Sequence, residues 1–99
     1  MNITKDLHYE REKPAILTLL KGEHTKAFVV GLLKDQVLAK HKTAVPALLL
    51  VIEGAVTFKM KSQVMLLNKH DVFSIPVDVE HEVIGIEETN SFMLLKHTL

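Results

Sequence analysis

The sequence predicts a single all-β domain built as a sandwich or a barrel. Three observations carry that expectation. The apolar residues fall in nine short runs, each too short for a stable helix and rich in Val, Ile, Leu and Phe. Turn-forming residues separate these runs at regular spacing. Residues 55–60 also show the period of a half-buried strand, with Val56, Phe58 and Met60 alternating with Ala55, Thr57 and Lys59. At 99 residues the chain fits one domain.

The elements follow in order. Residues 1–14 are rich in charge up to Pro14 and read as an N-terminal arm, a loose lead-in to a barrel over residues 15–99. The leucines of residues 15–20 favour helix locally. Pro14 and Gly22 confine that run to about two turns, so strand is preferred. Residues 27–33 end at Lys34-Asp35-Gln36, and residues 37–41 lead into a connection that reaches Pro46. Residues 47–52 and 55–60 flank Glu53-Gly54. Residues 63–67 and 72–75 flank a turn at 68–71. A loop over 76–81 precedes the last two strands, 82–87 and 91–97, which are joined by Glu88-Thr89-Asn90.

Composition narrows the function classes. Twelve basic and twelve acidic residues cancel, so the chain lacks the electrostatic footprint of a nucleic-acid or anionic-membrane binder. The absence of cysteine excludes disulfides, thiolate metal sites and cysteine nucleophiles. Residues 1–13 hold no apolar secretory core, and no run approaches bilayer-spanning length, so a cytoplasmic protein is expected.

Two segments resemble the small single-domain cupins. LLLVIEGAVTF (residues 48–58) is similar to the family's hairpin, in which a Glu-Gly turn joins two barrel strands. DVFSIPVDVEHEV (residues 71–83) is similar to its second motif, a Pro, a short loop and then a His. The resemblance implies a double-stranded β-helix, the cupin or jelly-roll barrel, with a cavity at one end and pairing into homodimers. Laid on the first motif, the three ligand positions read His41, Thr43 and Ala47. On the second, the ligand position is His81, two family glycines are His70 and Asp78, and the closing Asn position is Gly85.

The resemblance places His41 and His81 on neighbouring strands, pointing into the barrel mouth. It also implies a divalent metal (Fe, Mn, Ni or Zn) on those imidazoles. Thr43 and Ala47, however, remove one His and the only carboxylate, where a catalytic ion wants three protein ligands. Asp78, Glu80, Gln36 and His70 are the residues that could complete a set. Alternation from His41 turns Val37 and Ala39 inward. The expected pocket is lined by His41, Thr43, Ala47, Leu49, Val51, Phe58, His81, Val83 and Phe92, and would suit a small, partly apolar ligand. The same residues could equally fill the barrel as core.

Other patterns carry less. His8 and Glu10 form a His-x-Glu pair in the charged arm, without the cysteines a zinc deaminase needs. Lys40, Lys42 and Lys59 read as a wetted face. Ser74, His81 and Asp71 lack a nucleophile elbow. The expected function is a small-molecule-binding module, non-catalytic or metal-poor, working as a homodimer. The alternatives are a metal-dependent cupin dioxygenase or isomerase with a rebuilt ligand set, and a structural domain that dimerises through outward residues such as Met93 and Leu95. The sequence assigns no reaction.

Overall fold

The computed structural model describes residues 1–98. It contains the nine expected strands, after a single helical turn α1 (Ile3–Asp6): β1 (Ala15–Lys21), β2 (Thr25–Leu33), β3 (Val37–His41), β4 (Ala47–Glu53), β5 (Ala55–Met60), β6 (Gln63–Asn68), β7 (Val72–Ile75), β8 (His81–Gly85) and β9 (Thr89–His97). One sheet has the order β1-β2-β9-β4-β7 and the other β3-β8-β5-β6. Every pairing is antiparallel. No helix among the described residues is long and apolar enough to cross a membrane.

The inner faces of the two sheets supply the core. Alternation puts Ala47, Leu49 and Val51 of β4 inward, against Val30 and Leu32 of β2, Val56 and Phe58 of β5, Val83 of β8, and Phe92 and Leu94 of β9. Burying each large apolar side chain contributes roughly 1.5–3 kcal/mol, which holds together a sheet pair that has no disulfide.

One expectation fails in β3. Val37 and Ala39 face outward, with Val37 41% exposed, while Leu38 packs on the core. The register gives the reason: Leu38 pairs with Val83 and His41 with His81, so three steps along β3 match two along β8. That bulge inserts one residue, and one residue exchanges the two faces. His81, expected in a loop, opens β8 because it is paired on both sides, with His41 and Met60.

The turns explain several sequence choices. Gly54 has φ +71°, and a Cβ there would run into the Asn90 carboxamide and the Thr89 carbonyl. His70 and Asp78, which stand where the resemblance expects glycines, keep the left-handed backbone at φ +74° and +58°. Left-handed φ costs a side-chain-bearing residue about 1–2 kcal/mol, part of which a glycine gives back through its freer unfolded chain. His70 is exposed and has no packing to lose. His70→Gly is therefore expected to raise stability by about 0.5–1 kcal/mol, read as a higher urea midpoint. An unchanged or lower midpoint would refute this account of the turn.

Asn90, which reads as a turn residue in sequence, is fully buried. Its Oδ1 accepts from the backbone N–H of Ala55 (3.0 Å) and of Glu87 (2.9 Å). Its Nδ2 donates to the carbonyls of Leu32 (3.1 Å) and Glu87 (2.9 Å). A Cβ at Gly85 would meet that Nδ2 at 2.7 Å. Where the resemblance expects an asparagine, the chain has a glycine, and a carboxamide reaching over from β9 occupies the space beside it.

The lead-in is not loose. Leu7 is buried against Ala15 and Val29 on the outer face of the five-stranded sheet, with Tyr9 and Met93 packed alongside. Gly31 makes room for it, since a Cβ there would lie 2.9 Å from the Tyr9 ring. Gln36 ties the segment down: its Oε1 accepts from Leu33 N (2.8 Å) and its Nε2 donates to the Glu10 carbonyl (2.6 Å). Met93, expected as part of a free outer surface, is taken up by this second cluster, while Leu95 lies further along β9.

Candidate functional site

At one end of the barrel the pairing lines up two rows. His41, His81 and Met60 cross the four-stranded sheet, and Lys26, Lys96, Ala47 and Ile75 cross the five-stranded one. The His41 and His81 rings meet edge to face with centroids 4.2 Å apart. His81 also stacks on Phe58 at 5.0 Å and 18°, and Phe58 tilts against Phe73 at 5.0 Å. Two histidines forty positions apart in sequence thus lie side by side on neighbouring strands, the arrangement the resemblance implies.

Their hydrogen bonds fix what they can do. His41 Nδ1 lies 2.9 Å from the Ala39 carbonyl, and His81 Nδ1 lies 3.1 Å from the Val79 carbonyl. A carbonyl only accepts, so each Nδ1 carries the hydrogen, and each neutral ring leaves Nε2 as an acceptor. His81 is 3% exposed. Burial pushes its pKa below the ordinary histidine value, the Val79 carbonyl works against that, and the nearness of His41 and of the Lys96 ammonium adds to the lowering.

The other expected lining residues divide in two. Thr43 is buried at the mouth, but its hydroxyl donates to the Val45 carbonyl (3.1 Å) and accepts from Val45 N (3.3 Å), which commits it to its own turn. Ala47, Leu49, Val51, Val83 and Phe92 lie in the core cluster at 4% exposure or less, with Phe58 between them and His81. A concavity of about 840 Å³ is lined by Lys40, Lys59 and Lys61 together with Asp78, Glu80 and Glu82. Met60 and His81 mark the point where this groove meets the mouth.

Three residues at the mouth were not anticipated: Lys26, Phe28 and Lys96. The Lys26 and Lys96 ammonium groups lie 5.5 and 5.7 Å from the centroid of the Phe28 ring. Alternation was the available signal, because Phe28 and Leu94 face the core and residues two positions away share their face. What it lacked was the pairing of Lys26 with Lys96.

These residues do not fit a resident divalent metal. Two imidazoles are present, but Ala47 supplies no donor, and its cross-strand neighbour is a lysine, Lys96. Gln36 is occupied with the N-terminal segment, and His70, whose backbone N–H donates to the Val51 carbonyl, lies toward the far end of β4. Asp78 and Glu80 line the groove that His81 also lines, without closing a three-residue ligand set there among the described residues. Among the described residues, no three His, Asp or Glu side chains come together as a metal cluster.

No protein-family model and no curated protein matches the sequence. Solved structures do match its fold. An RmlC-like cupin protein from Desulfovibrio desulfuricans has a TM-score of 0.87 at 15% identity, over 98% of this chain and 93% of that one. A cupin superfamily protein from Desulfitobacterium hafniense has 0.88 at 11%, over 100% and 90%. A double-stranded β-helix protein from Klebsiella pneumoniae has 0.88 at 15%, over 98% and 87%. Strand order, sheet pairing and these likenesses agree that the chain has the fold of a small single-domain cupin.

Proposed function

We propose that the protein is a small-molecule-binding module whose ligand sits at the barrel mouth and donates hydrogen bonds to His41 and His81. The paired rings support this most directly. Their centroids are 4.2 Å apart, and both Nδ1 atoms are tied to backbone carbonyls. That leaves two fixed Nε2 acceptors, with Phe58 buried behind His81 and Phe73 half-buried against Phe58. A ligand with a hydroxyl or N–H and a small apolar body matches such a surface. Ligand contact falls to the mouth, because the barrel beyond Phe58 is filled by its own side chains.

The test is titration calorimetry of chelator-treated protein against alcohols, amines and acids of small size. At least one compound is expected to bind in the micromolar to millimolar range. His41→Phe and His81→Phe keep a ring but lose the acceptor, and each is expected to weaken that compound about tenfold, the worth of one good hydrogen bond. Silence across the panel, or binding that ignores both substitutions, would dismiss the proposal.

A further inference from the structure

The mouth has lost a carboxylate and gained ammonium groups. Lys26, which is exposed, and Lys96 are direct cross-strand partners, each two residues from a side chain that packs on the core, Phe28 and Leu94. Like charges directly opposite one another destabilise a strand pair. The ion pairs found among the described residues are Glu23 with His24 and Glu53 with Lys69, so neither mouth lysine has a carboxylate within 4.0 Å there. The Phe28 face between them offsets part of the repulsion. Lys96 is half-buried, which limits how far solvent screens it. It also pairs with Ala47 on its other side, the position at which the resemblance would place a metal-binding carboxylate. That position therefore has a basic residue, and no acidic one, as its partner on β9.

We propose that the mouth binds a small organic carboxylate, with its anionic end between Lys26 and Lys96 and a hydroxyl at the Nε2 atoms of His41 and His81. This rests on the ligand site proposed above and adds the ligand's charge. Both ends follow from the residues present: two ammonium groups without a carboxylate within 4.0 Å among the described residues suit an anion, and two imidazole acceptors suit a donor. The Phe28 ring between the lysines gives the short carbon body an apolar seat.

Two probes of nearly equal size separate the claims: lactate, and propane-1,2-diol, in which a neutral CH2OH replaces the carboxylate. Each is titrated at constant ionic strength while the ring resonances of His81 and Phe28 are followed by NMR. Lactate is expected to saturate in the millimolar range and to bind at least tenfold more tightly than the diol. Lys26→Gln with Lys96→Gln should bring lactate down to the level of the diol, and Lys96→Arg should preserve the difference. The glutamine variant should fold, since it relieves a like-charge pair. Equal affinity for both probes, or lactate binding unaffected by the glutamine variant, would overturn the anion inference and leave the ligand site standing. Failure of both probes to move either ring would overturn both.

Discussion

Asn90→Leu is expected to lower the stability of the protein by about 3–5 kcal/mol, among the largest losses a single substitution causes. The side chain is fully buried, and its carboxamide serves four backbone groups at once: Ala55 N–H, Glu87 N–H, and the Leu32 and Glu87 carbonyls. Leucine has similar volume and leaves all four without that partner. Each buried group so stranded costs about 1–3 kcal/mol, less where water can reach it. Total stability for a domain of this size is about 5–15 kcal/mol, so the urea midpoint should fall steeply with an unchanged slope. Asn90→Asp sharpens the test. It keeps both acceptor contacts but turns both donations into repulsions with carbonyls, so it should also destabilise strongly. A loss under about 1 kcal/mol in both variants would mean that the carboxamide is not the clasp between β2, β5 and β9 described here.

The contrast between Asn90 and the histidines explains what could be read from sequence. The strands were legible because each is a short apolar run with its own boundary, which is local information. His41 and His81 were legible because motif spacing carries their positions into one barrel, and the left-handed backbone at His70 and Asp78 keeps the motif in register although both glycines are gone. The β3 bulge was not legible, because the run from Leu38 to His41 looks like any other strand and only its partner β8 reveals the extra residue. Leu7 and Tyr9 were hidden as isolated apolar residues in a charged segment. Gly31, near the end of β2, was the one trace of where they dock. Lys26 and Lys96 lie too far apart in sequence for any local pattern to join them, and it is register that makes them neighbours. Asn90 sits at a strand end with the look of a turn former. Its role depends on backbone groups from β2, the start of β5 and the β8–β9 turn converging on one point.

Phe58 links the core to the mouth, and Phe58→Ala is expected to affect both. The ring is fully buried and lies against His81 on one side and Phe73 on the other, each at 5.0 Å. Truncation to Ala should cost about 3–5 kcal/mol through lost transfer energy and the cavity left behind. If that variant does not fold, Phe58→Leu leaves a smaller cavity and still removes both aromatic contacts. The second effect is on His81. Burial is the main cause of its lowered pKa, so water entering beside it should move the pKa back toward 6.5. The sign in the native protein follows from linkage. With the folded pKa below the unfolded one, the unfolded chain binds a proton that the folded chain does not. The stability contribution is therefore full above the unfolded value and is lost as pH falls toward the folded one. Native stability should decline as pH falls below the unfolded value of 6.5, and the His81 part of that decline should shrink in the Phe58 variant. Urea titrations at about pH 8 and about pH 5.5 measure the first effect, and ring-proton titration of His81 by NMR measures the second. If His81 titrates in the native protein at the ordinary histidine value, its burial does not act on it as described. The neutral ring that leaves Nε2 free to accept from a ligand would then lose its physical basis.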